Sequence, residues 1–419
     1  PAAASARAIG DADVSFGQEV DALVVGAGIS GMLAAIDPAA AGLDVLIVEQ
    51  NSTYGGDAMY SAACQMCTTA KLTQEERPDK YMSADQIREK FAPYYENDEA
   101  GLERTVLMQT WGGKFIDLMH YDWGYQFQEL RESPYHQAFF PKDGLCTMKD
   151  EFELINQKVT EAGASYLFET TFKTLIVDDE GTIAGARFVA KDGSVVDIKA
   201  KAVVLATGNG VTKSSGYPLG ADTFDGIWMG YQHGLPITGV EFEDFHMTTR
   251  FAAGNIQMDN SWPYLENIWL TGGTVDAEHM MKKPGVQERT SSFLEGFKRS
   301  DTTELEDIAG AACSSAVTKG NADDPRKGKW TSPIPKGNVY GAAPGMCVHT
   351  AAGIWCGVDN TDCSTGIPGL YAAGDGTNGC YVGGPNYGAQ RGSTSSFMTV
   401  QGEHAGAAAA AYADTVGDV

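Results

Sequence analysis

The chain has 419 residues, enough for two domains and a large hydrophobic core, and its 43% hydrophobic content is typical of a globular protein. It contains 30 Lys and Arg against 55 Asp and Glu, which gives a net charge of −25. This acidic balance disfavours nucleic acid and anionic membrane surfaces as partners, because phosphate binding needs a basic surface, and it would steer a basic protein partner toward the chain.

The first residues are rich in Ala, Ser and Asp and lack a periodic apolar pattern. We interpret residues 1–20 as a flexible leader that remains after the processing of an exported protein. The alternative is that the sequence was artificially cut before residue 1. This predicts export to the periplasm or surface of a bacterium, and a cytoplasmic location is the alternative. No window approaches 18 uninterrupted apolar residues, so we predict no membrane-spanning helix.

The first βαβ unit is the most informative segment. An apolar strand, 22–25, enters Gly26-x-Gly28-x-x-Gly31, and a small-residue helix leads to a second apolar strand closed by Glu49. Gly26 permits a tight turn, Gly28 lets a pyrophosphate approach the backbone, and Gly31 lets the helix lie close to the sheet. The helix N-terminus would bind the phosphates, and Glu49 would accept hydrogen bonds from an adenosine ribose. This order of elements predicts a dinucleotide site, and a glycine-rich turn without a ligand is the alternative.

The segments that follow are predicted from their apolar spacing. Pro38 lies inside the first helix pattern and predicts that the helix ends or kinks near Asp37. Residues 80–130 have helical spacing and are expected to pack on the sheet.

From residue 165 the apolar period changes to two, which predicts a β-meander. Its segments are 165–169, 175–177, 183–189 and 195–198. A separate strand, 202–207, is closed by a glycine turn at Gly208.

Residues 235–335 differ in composition from their surroundings, being richer in Trp, Met, Pro and charge. We interpret them as a smaller α+β domain inserted into an α/β domain. The two parts of that Rossmann-like domain, which contains the β-meander, would be 21–234 and 336–419.

Eight scattered cysteines are too few for a disulfide scaffold. Cys64 and Cys67 form the one close pair. They could be reduced core thiols, a disulfide or redox pair, or two ligands of an iron–sulfur cluster of the [4Fe-4S] type. Beyond this pair, no metal ligands are predicted.

Several motifs in order give the chain a resemblance to a flavoprotein family. They are Gly26-x-Gly28-x-x-Gly31, Glu49, Gly55-Gly56, Ala206-Thr207-Gly208, Asp225-Gly226 and Gly369-Leu-Tyr-Ala-Ala-Gly374-Asp375. The chain resembles the family of fumarate reductase, succinate dehydrogenase, urocanate reductase and 3-ketosteroid dehydrogenase, which also has members similar to cardiac glycoside reductase. The resemblance implies a Rossmann-like FAD-binding domain with a β-meander and an inserted capping domain at 235–335.

The resemblance also implies which residues bind FAD. Glu49 would bind the adenosine ribose, Asp375 the ribityl hydroxyls, and the backbone at Ser395 and Ser396 would lie near the flavin carbonyl. The full set of implied FAD-binding residues is Gly26, Gly28, Ile29, Ser30, Gly31, Glu49, Gln50, Gly55, Gly56, Asp57, Ser61, Ala62, Phe172, Ala206, Thr207, Gly208, Asp225, Gly374, Asp375, Ser395 and Ser396.

Three polar residues match the family's substrate-binding pattern. The resemblance implies that His246, His349 and Arg391 hold a carboxylate or carbonyl beside the flavin, where a guanidinium fork suits a carboxylate. The proton donor of the family has no clear match here, and Arg289 and Tyr340 are the candidates. Around Arg391 the sequence departs from the family's pattern, which makes fumarate itself an improbable substrate.

These matches imply an FAD-dependent oxidoreductase that acts on a CH–CH or C=C group. We expect a reductase that transfers hydride to an activated double bond of an unsaturated acid, enone or lactone, with electrons from a separate cytochrome or membrane-linked carrier. The alternatives are a dehydrogenase of a ketosteroid-like substrate and a non-catalytic flavin electron-transfer protein.

Overall fold

The computed structural model describes residues 14–56, 58, 65–95, 99–127, 137–139, 149–213, 223–240, 243–248, 345–350, 353–356, 361–377 and 393–417. The α-helices in these ranges are α1 (Ile29–Ala40), α2 (Lys71–Glu76), α3 (Ala84–Phe91), α4 (Glu99–Asp117), α5 (Lys149–Ala162), α6 (Asp225–Gln232) and α7 (Ser393–Thr415). The strands are β1 (Phe16–Val25), β2 (Val45–Val48), β3 (Gln65–Cys67), β4 (Gln137–Phe139), β5 (Ser165–Leu167), β6 (Thr170–Val177), β7 (Ile183–Ala190), β8 (Val195–Leu205), β9 (Val211–Lys213), β10 (Ile237–Thr238), β11 (Glu243–Thr248), β12 (Gly345–Thr350), β13 (Gly353–Ile354) and β14 (Leu370–Ala372).

A parallel sheet forms the centre of the described structure. β5, β2, β1 and β8 lie side by side in this order, and each neighbouring pair is parallel. β14 pairs with the end of β8, also in parallel. Parallel neighbours need crossover connections, and α1 provides the one between β1 and β2. The predicted α/β class with a Rossmann-like sheet is confirmed.

Both faces of this sheet are covered, which explains why its strands are continuous apolar runs. In β1, Ala22 and Val24 face a core built with α1, α4, α5 and α7. Leu23 and Val25 face the opposite core, which includes residues of β6 and β7. Burial of a side chain such as Leu23 stabilises the fold by about 1.5–3 kcal/mol.

β8 takes part in two arrangements at once. Its first half pairs antiparallel with β7, which pairs with β6, and its second half pairs with β14. The prediction of two separate strands here was wrong, because Lys199 and Lys201 look like a break in the apolar pattern. In the structure they continue the strand and form ion pairs with Glu19 and Asp21 of β1, at 3.5 and 2.9 Å.

β5 lies on the far side of the parallel sheet from the meander. The sequence predicted it as the first strand of the meander, whereas the structure pairs it in parallel with β2. Glu49 N donates to Leu167 O at 2.9 Å and extends this pairing past the end of β2. Alternation of apolar and polar residues is enough to predict that a short segment is a strand, but the strand with which it pairs depends on the tertiary fold.

Pro38 lies inside α1, which continues two residues further to Ala40, so the helix does not end at Asp37, and the predicted kink stays a prediction. Proline lacks the N–H that would donate to Ala34 O. α7 packs against this carbonyl, and a Cβ added to Gly406 would lie 2.1 Å from Ala34 O. The absence of a side chain at Gly406 therefore lets α7 pack closely against this turn of α1.

A separate three-stranded sheet has the order β11-β12-β9. β11 and β12 are antiparallel, and Thr248 lies opposite Gly345. The chain therefore enters the segment 249–344, which lies outside the described residues, from β11 and comes back from it into the neighbouring strand β12. A domain inserted into another needs its two ends close together in this way. The predicted bounds of 235–335 stay a prediction.

β1 begins at Phe16, inside the segment 1–20 that was predicted as a leader. β8 is long enough to pair with these early residues, and Ser15 N donates to an Asp197 carboxylate oxygen at 2.9 Å. The prediction of a leader was therefore wrong for the strand residues 16–20. Among the described helices, none has the length and apolar character needed to cross a membrane.

Candidate functional site

The glycine-rich segments of the sequence meet at the carboxyl ends of the parallel strands. β1, β8 and β14 end side by side, and a glycine-containing turn follows each of them. We call four segments together the glycine cradle: 26–31, 55–56, 206–208 and Gly374–Gly376. This end of a parallel sheet is where ligands bind in open α/β folds.

The first turn of the cradle can be built only with glycine. Gly26 has a φ of +105°, and a Cβ on it would lie 2.3 Å from Ala206 O. A Cβ on Gly31 would lie 1.9 Å from Gly26 O. These approaches bring the N-terminus of α1 against the ends of β1 and β8.

The N-terminus of α1 has the properties of an anion-binding site. Gly28 precedes the helix, its cap makes no side-chain hydrogen bond, and the first helical turn contains no acidic residue. The free N–H groups and the helix dipole favour a phosphate at this position. Gly28 itself has open space where a Cβ would stand, so a ligand can approach its backbone.

Glu49 is buried at the end of β2 and directed at the glycine turn. Its Oε2 accepts a hydrogen bond from Ala27 N at 2.8 Å, and its Oε1 accepts from Asn51 N at 2.8 Å and from Asn51 Nδ2 at 2.9 Å. The carboxylate is thus held in one orientation by the turn and by Asn51. The sequence pattern predicted Glu49 beside the turn but contained no sign of the role of Asn51.

The segment 55–56 closes over the first turn. Gly55 N donates to Ala27 O at 2.8 Å, and Gly55 bridges to Gly28. A Cβ on Gly56 would lie 3.3 Å from Gly28 Cα. The structure therefore brings both glycines to the predicted site, whereas Asp57, Ser61 and Ala62 lie outside the described residues.

The segment 206–208 is packed from two sides by further glycines. A Cβ on Gly226 would lie 2.1 Å from Thr207 Oγ1, and a Cβ on Gly376 would lie 2.8 Å from Gly208 O. Asp225 begins α6 beside this contact and accepts a hydrogen bond from Thr223 Oγ1 at 2.7 Å.

The C-terminal third of the chain reaches α1 through Gly374. Its φ is +81°, and a Cβ on it would lie 2.5 Å from Ser30 Oγ. Asp375 follows in the same turn and is half-buried. Residues 26–31 and Gly374–Gly376 therefore form one site, as expected if a single elongated ligand contacts both ends of the chain.

Other residues predicted to bind FAD have mixed placements. Ile29 is buried in the first turn of α1, and Gln50 is half-buried just after β2. Phe172 lies in β6, where its buried ring packs 5.8 Å from that of Phe188, so its side chain belongs to the core. Ser395 and Ser396 lie in the first turn of α7.

Two of the predicted substrate-binding residues lie on adjacent strands. His246 of β11 is opposite Cys347 of β12, and Asp244 is opposite His349. Residues two apart in a strand share a face, so His246 and His349 are placed on one face of the sheet. We call β9, β11 and β12 the histidine sheet.

The other predicted catalytic residues, Arg289, Tyr340 and Arg391, lie outside the described residues, as does Cys64. Cys67 lies in the short strand β3. Within the described ranges, no group of three or more His, Cys, Asp or Glu could hold a metal ion. Because Cys64 lies outside these ranges, this absence does not bear on the cysteine pair, and an iron–sulfur cluster there stays a prediction without support.

Sequence reasoning also missed two buried polar side chains of the C-terminal turn. Gln401 Oε1 accepts a hydrogen bond from Gly374 N at 2.9 Å, and Thr377 Oγ1 donates to Gly374 O at 2.9 Å. The only sign in the sequence was a glutamine among small and apolar residues of a helix, which does not identify its partner.

Comparisons with known proteins agree with this geometry. A family model described as FAD binding domain matches residues 21–258, more than half of the chain. Protein FixC of Bradyrhizobium diazoefficiens is 30% identical over 192 residues, which cover 46% of this chain and 37% of FixC. The fumarate reductase flavoprotein subunit of Haemophilus influenzae is 27% identical over 242 residues, which cover 55% of this chain and 38% of the subunit.

The matched region thus spans less than half the length of these curated relatives. Among solved structures, the fold is similar to that of 3-ketosteroid-Δ4-(5α)-dehydrogenase from Rhodococcus jostii RHA1 in complex with 4-androstene-3,17-dione. The TM-score is 0.64 at 18% identity, and the match covers 94% of this chain and 98% of that one.

Proposed function

Because this chain belongs to the FAD binding domain family, we propose that it is an FAD-dependent reductase of an activated C=C bond. The substrate class is an unsaturated acid, enone or lactone. The reaction adds a hydride to the β-carbon and a proton to the α-carbon, so the double bond becomes a single bond.

The convergence of the glycine cradle on the N-terminus of α1 supports this proposal more than any other observation. Gly374 contacts Ser30, and Gly376 contacts Gly208, so the two ends of the chain form one elongated site. FAD is long enough to contact both ends: the start of α1 would hold its diphosphate, and the C-terminal turn would hold its ribityl chain.

Each part of the cradle has a role in holding the cofactor. The free N–H groups at the start of α1 would bind the diphosphate. Glu49 would accept hydrogen bonds from the adenosine ribose, and Asp375 from the ribityl hydroxyls. When bound, FAD supplies hydride transfer at its N5 atom.

The histidine sheet and Arg391 would hold the substrate. His246 and His349 occupy strand positions that share one face, and in this proposal their imidazoles would donate hydrogen bonds to a carbonyl or carboxylate oxygen. Donors fixed in position stabilise the negative charge that develops on this oxygen when hydride adds to the β-carbon. Arg289 or Tyr340 would then give the proton to the α-carbon.

We further propose that the electrons come from a separate donor, a cytochrome or a membrane-linked carrier, and that the protein is exported. The net charge of −25 would attract a basic donor and speed its association.

A dehydrogenase of a ketosteroid-like substrate is the second candidate. It is favoured by the similar fold of the Rhodococcus enzyme, 98% of which is covered by the match. A non-catalytic electron-transfer flavoprotein is the third candidate, because the residues around Arg391 differ from the family's substrate-binding pattern.

Assays in both directions would separate these functions. The purified protein, reconstituted with FAD, is incubated anaerobically with reduced viologen and a panel of enoic acids, enones and lactones. We expect oxidation of viologen that depends on one class of substrate. Activity only with 3-ketosteroids and an artificial electron acceptor would favour the dehydrogenase, and no activity in either direction would favour electron transfer.

Arg391→Ala tests the proposed substrate contact, with Arg88→Ala as its control. Arg88 lies on the protein surface in ion pairs with Asp85 and Glu103. We expect Arg391→Ala to abolish measurable turnover while flavin content is retained. Unchanged turnover would show that Arg391 does not bind the substrate.

A further inference from the structure

Gln401 is a buried amide on the packed face of α7. Only 1% of its surface is exposed, and buried small residues such as Gly402 and Ala405 follow it along the packed part of the helix. Burial of an amide is unfavourable unless its hydrogen bonds are made. The contacts of Gln401 therefore indicate what it does.

Both ends of the Gln401 amide are bonded to the turn that contains Asp375. Oε1 accepts from Gly374 N at 2.9 Å, and Nε2 donates to Thr377 Oγ1 at 3.0 Å. Thr377 Oγ1 in turn donates to Gly374 O at 2.9 Å, and Thr377 is itself 1% exposed. These three bonds hold the backbone on both sides of Asp375.

The next residue of α7 joins this turn to the first helix. A Cβ on Gly402 would lie 2.1 Å from Ser30 O, and a Cβ on Gly374 would lie 2.5 Å from Ser30 Oγ. Ser30 is buried in the first turn of α1. Gln401 and Gly402 thus attach α7 to the two glycine turns that come from opposite ends of the chain.

We propose that Gln401, together with Thr377, is a positioning residue for FAD. The pair sets the position of Asp375 relative to the N-termini of α1 and α7, which would contact the diphosphate and the flavin. This inference rests on the FAD binding proposed above. Without the amide, Gly374 N loses its partner and the turn is free to shift, so the cofactor contacts weaken while the sheet and helices persist.

Matched threonine variants test this role separately from overall stability. Thr377→Val removes the hydroxyl that bonds Gly374 O. Thr365→Val is the control, because Thr365 is also buried and donates to a backbone carbonyl, Leu370 O, at 3.0 Å, before β14 begins. Gln401→Leu removes the amide itself, and Thr377→Ser keeps the hydroxyl.

The measurements are the Kd for FAD of the apo-protein, from flavin fluorescence, the visible spectrum of the bound flavin, and the thermal unfolding of the apo-protein. We expect Thr377→Val and Gln401→Leu to raise the Kd by about ten-fold or more and to shift the flavin spectrum. Thr377→Ser should restore both, and Thr365→Val should leave the Kd within about two-fold even though it lowers the unfolding temperature.

One outcome would overturn the inference while leaving the proposed function intact. If Thr377→Val lowers the unfolding temperature as Thr365→Val does but leaves the Kd and spectrum unchanged, the network has only a structural role. If Gln401→Leu fails to fold, the comparison of Thr377→Val with Thr365→Val still tests the inference by itself. If the wild-type protein itself binds no FAD, the proposed function fails first, and this result is seen before any variant is compared.

Discussion

The glycine cradle and the histidine sheet are assembled in different ways. In the cradle, backbone atoms at Gly26 and Gly31 approach other backbone atoms so closely that no side chain fits. In the histidine sheet, His246 and His349 come together only because two strands about 100 residues apart in the chain adopt one register.

From this difference we predict that cofactor binding and substrate chemistry are separable in this chain. Substitutions at the cradle glycines that touch backbone, such as Gly26 and Gly31, should remove the flavin together with stability, because the same contacts hold the core and the ligand. Substitutions in the histidine sheet should remove turnover and leave the flavin in place.

The largest effect is expected from Gly31→Ala. Its Cβ would lie 1.9 Å from Gly26 O, which is backbone and cannot move away without displacing the turn. We expect a loss of about 3 kcal/mol in the free energy of unfolding and loss of bound FAD, measured by denaturant unfolding and flavin absorbance. Gly17→Ala is the control, because Gly17 has open space around it, and a stable, flavin-loaded Gly31→Ala would contradict the description of the cradle.

Next in size is the effect of the two histidines on turnover. His246→Gln and His349→Gln should each lower kcat/KM by about 100-fold, because a donor to the developing oxyanion is lost, while FAD content stays at the wild-type level. His120→Gln serves as a control, because His120 lies outside the histidine sheet, in the short π-helical segment Leu118–Asp122 that follows α4, where its Nδ1 is 3.0 Å from Tyr125 O. If flavin is lost along with activity, the two regions are not separable.

Within the cradle, Gly28→Ala should weaken flavin binding without lowering the stability of the apo-protein. Gly28 has an ordinary φ of −73° and no atom within 4 Å of an added Cβ, so the apo-protein should unfold as the wild type does. The methyl group would instead stand where the diphosphate approaches, and we expect the Kd for FAD to rise by about ten-fold or more. An unchanged Kd in a fluorescence titration would place the phosphates elsewhere.

The smallest expected effect is a pH dependence of the free energy of unfolding, caused by Asp197 in β8 of the central sheet. Hydrogen bonds from Arg187, at 2.6 and 2.8 Å, hold the pKa of the buried Asp197 below its usual value. This stabilisation is therefore fully present above the usual aspartate pKa of about 3.9 and is lost as the pH falls through the lower pKa of the folded state.

Asp197→Asn should accordingly be less stable than the wild type by about 1–2 kcal/mol at pH 7, with the difference shrinking in acid. Urea unfolding between neutral and acidic pH measures this, with Asp179→Asn in an exposed turn as the control. A difference that stays constant with pH would show that the Asp197 carboxylate contributes through packing and not through its charge.

Much of the cradle could be predicted from the sequence, because its requirements are local. A glycine at Gly26 or Gly374 is needed for the positive φ of its own backbone, and spacing alone marks such turns. The position of Glu49 could also be predicted locally, because it follows directly from the end of its apolar strand. The hydrogen bonds that Asn51 donates to Glu49 could not be predicted from the sequence, since a polar residue in a turn has many possible partners.

The helix and strand predictions failed where a distant segment changes the local preference. Pro38 was expected to end or kink α1 near Asp37, but the helix continues to Ala40 and packs against α7. Lys199 and Lys201 looked like a gap between strands, but acidic residues of β1 lie across from them. In each case the segment that packs against the exception is far away in the chain.

By itself, the sequence determined the α/β class, the glycine turns, the acid after β2 and the family, because these follow from steric and periodic rules within short segments. Only the tertiary structure decided that β5 joins β2, that β8 serves both the sheet and the meander, and that the Gln401 amide bonds the turn around Asp375. Pairing and burial depend on which distant surfaces meet, and that is set by the packing of the whole core.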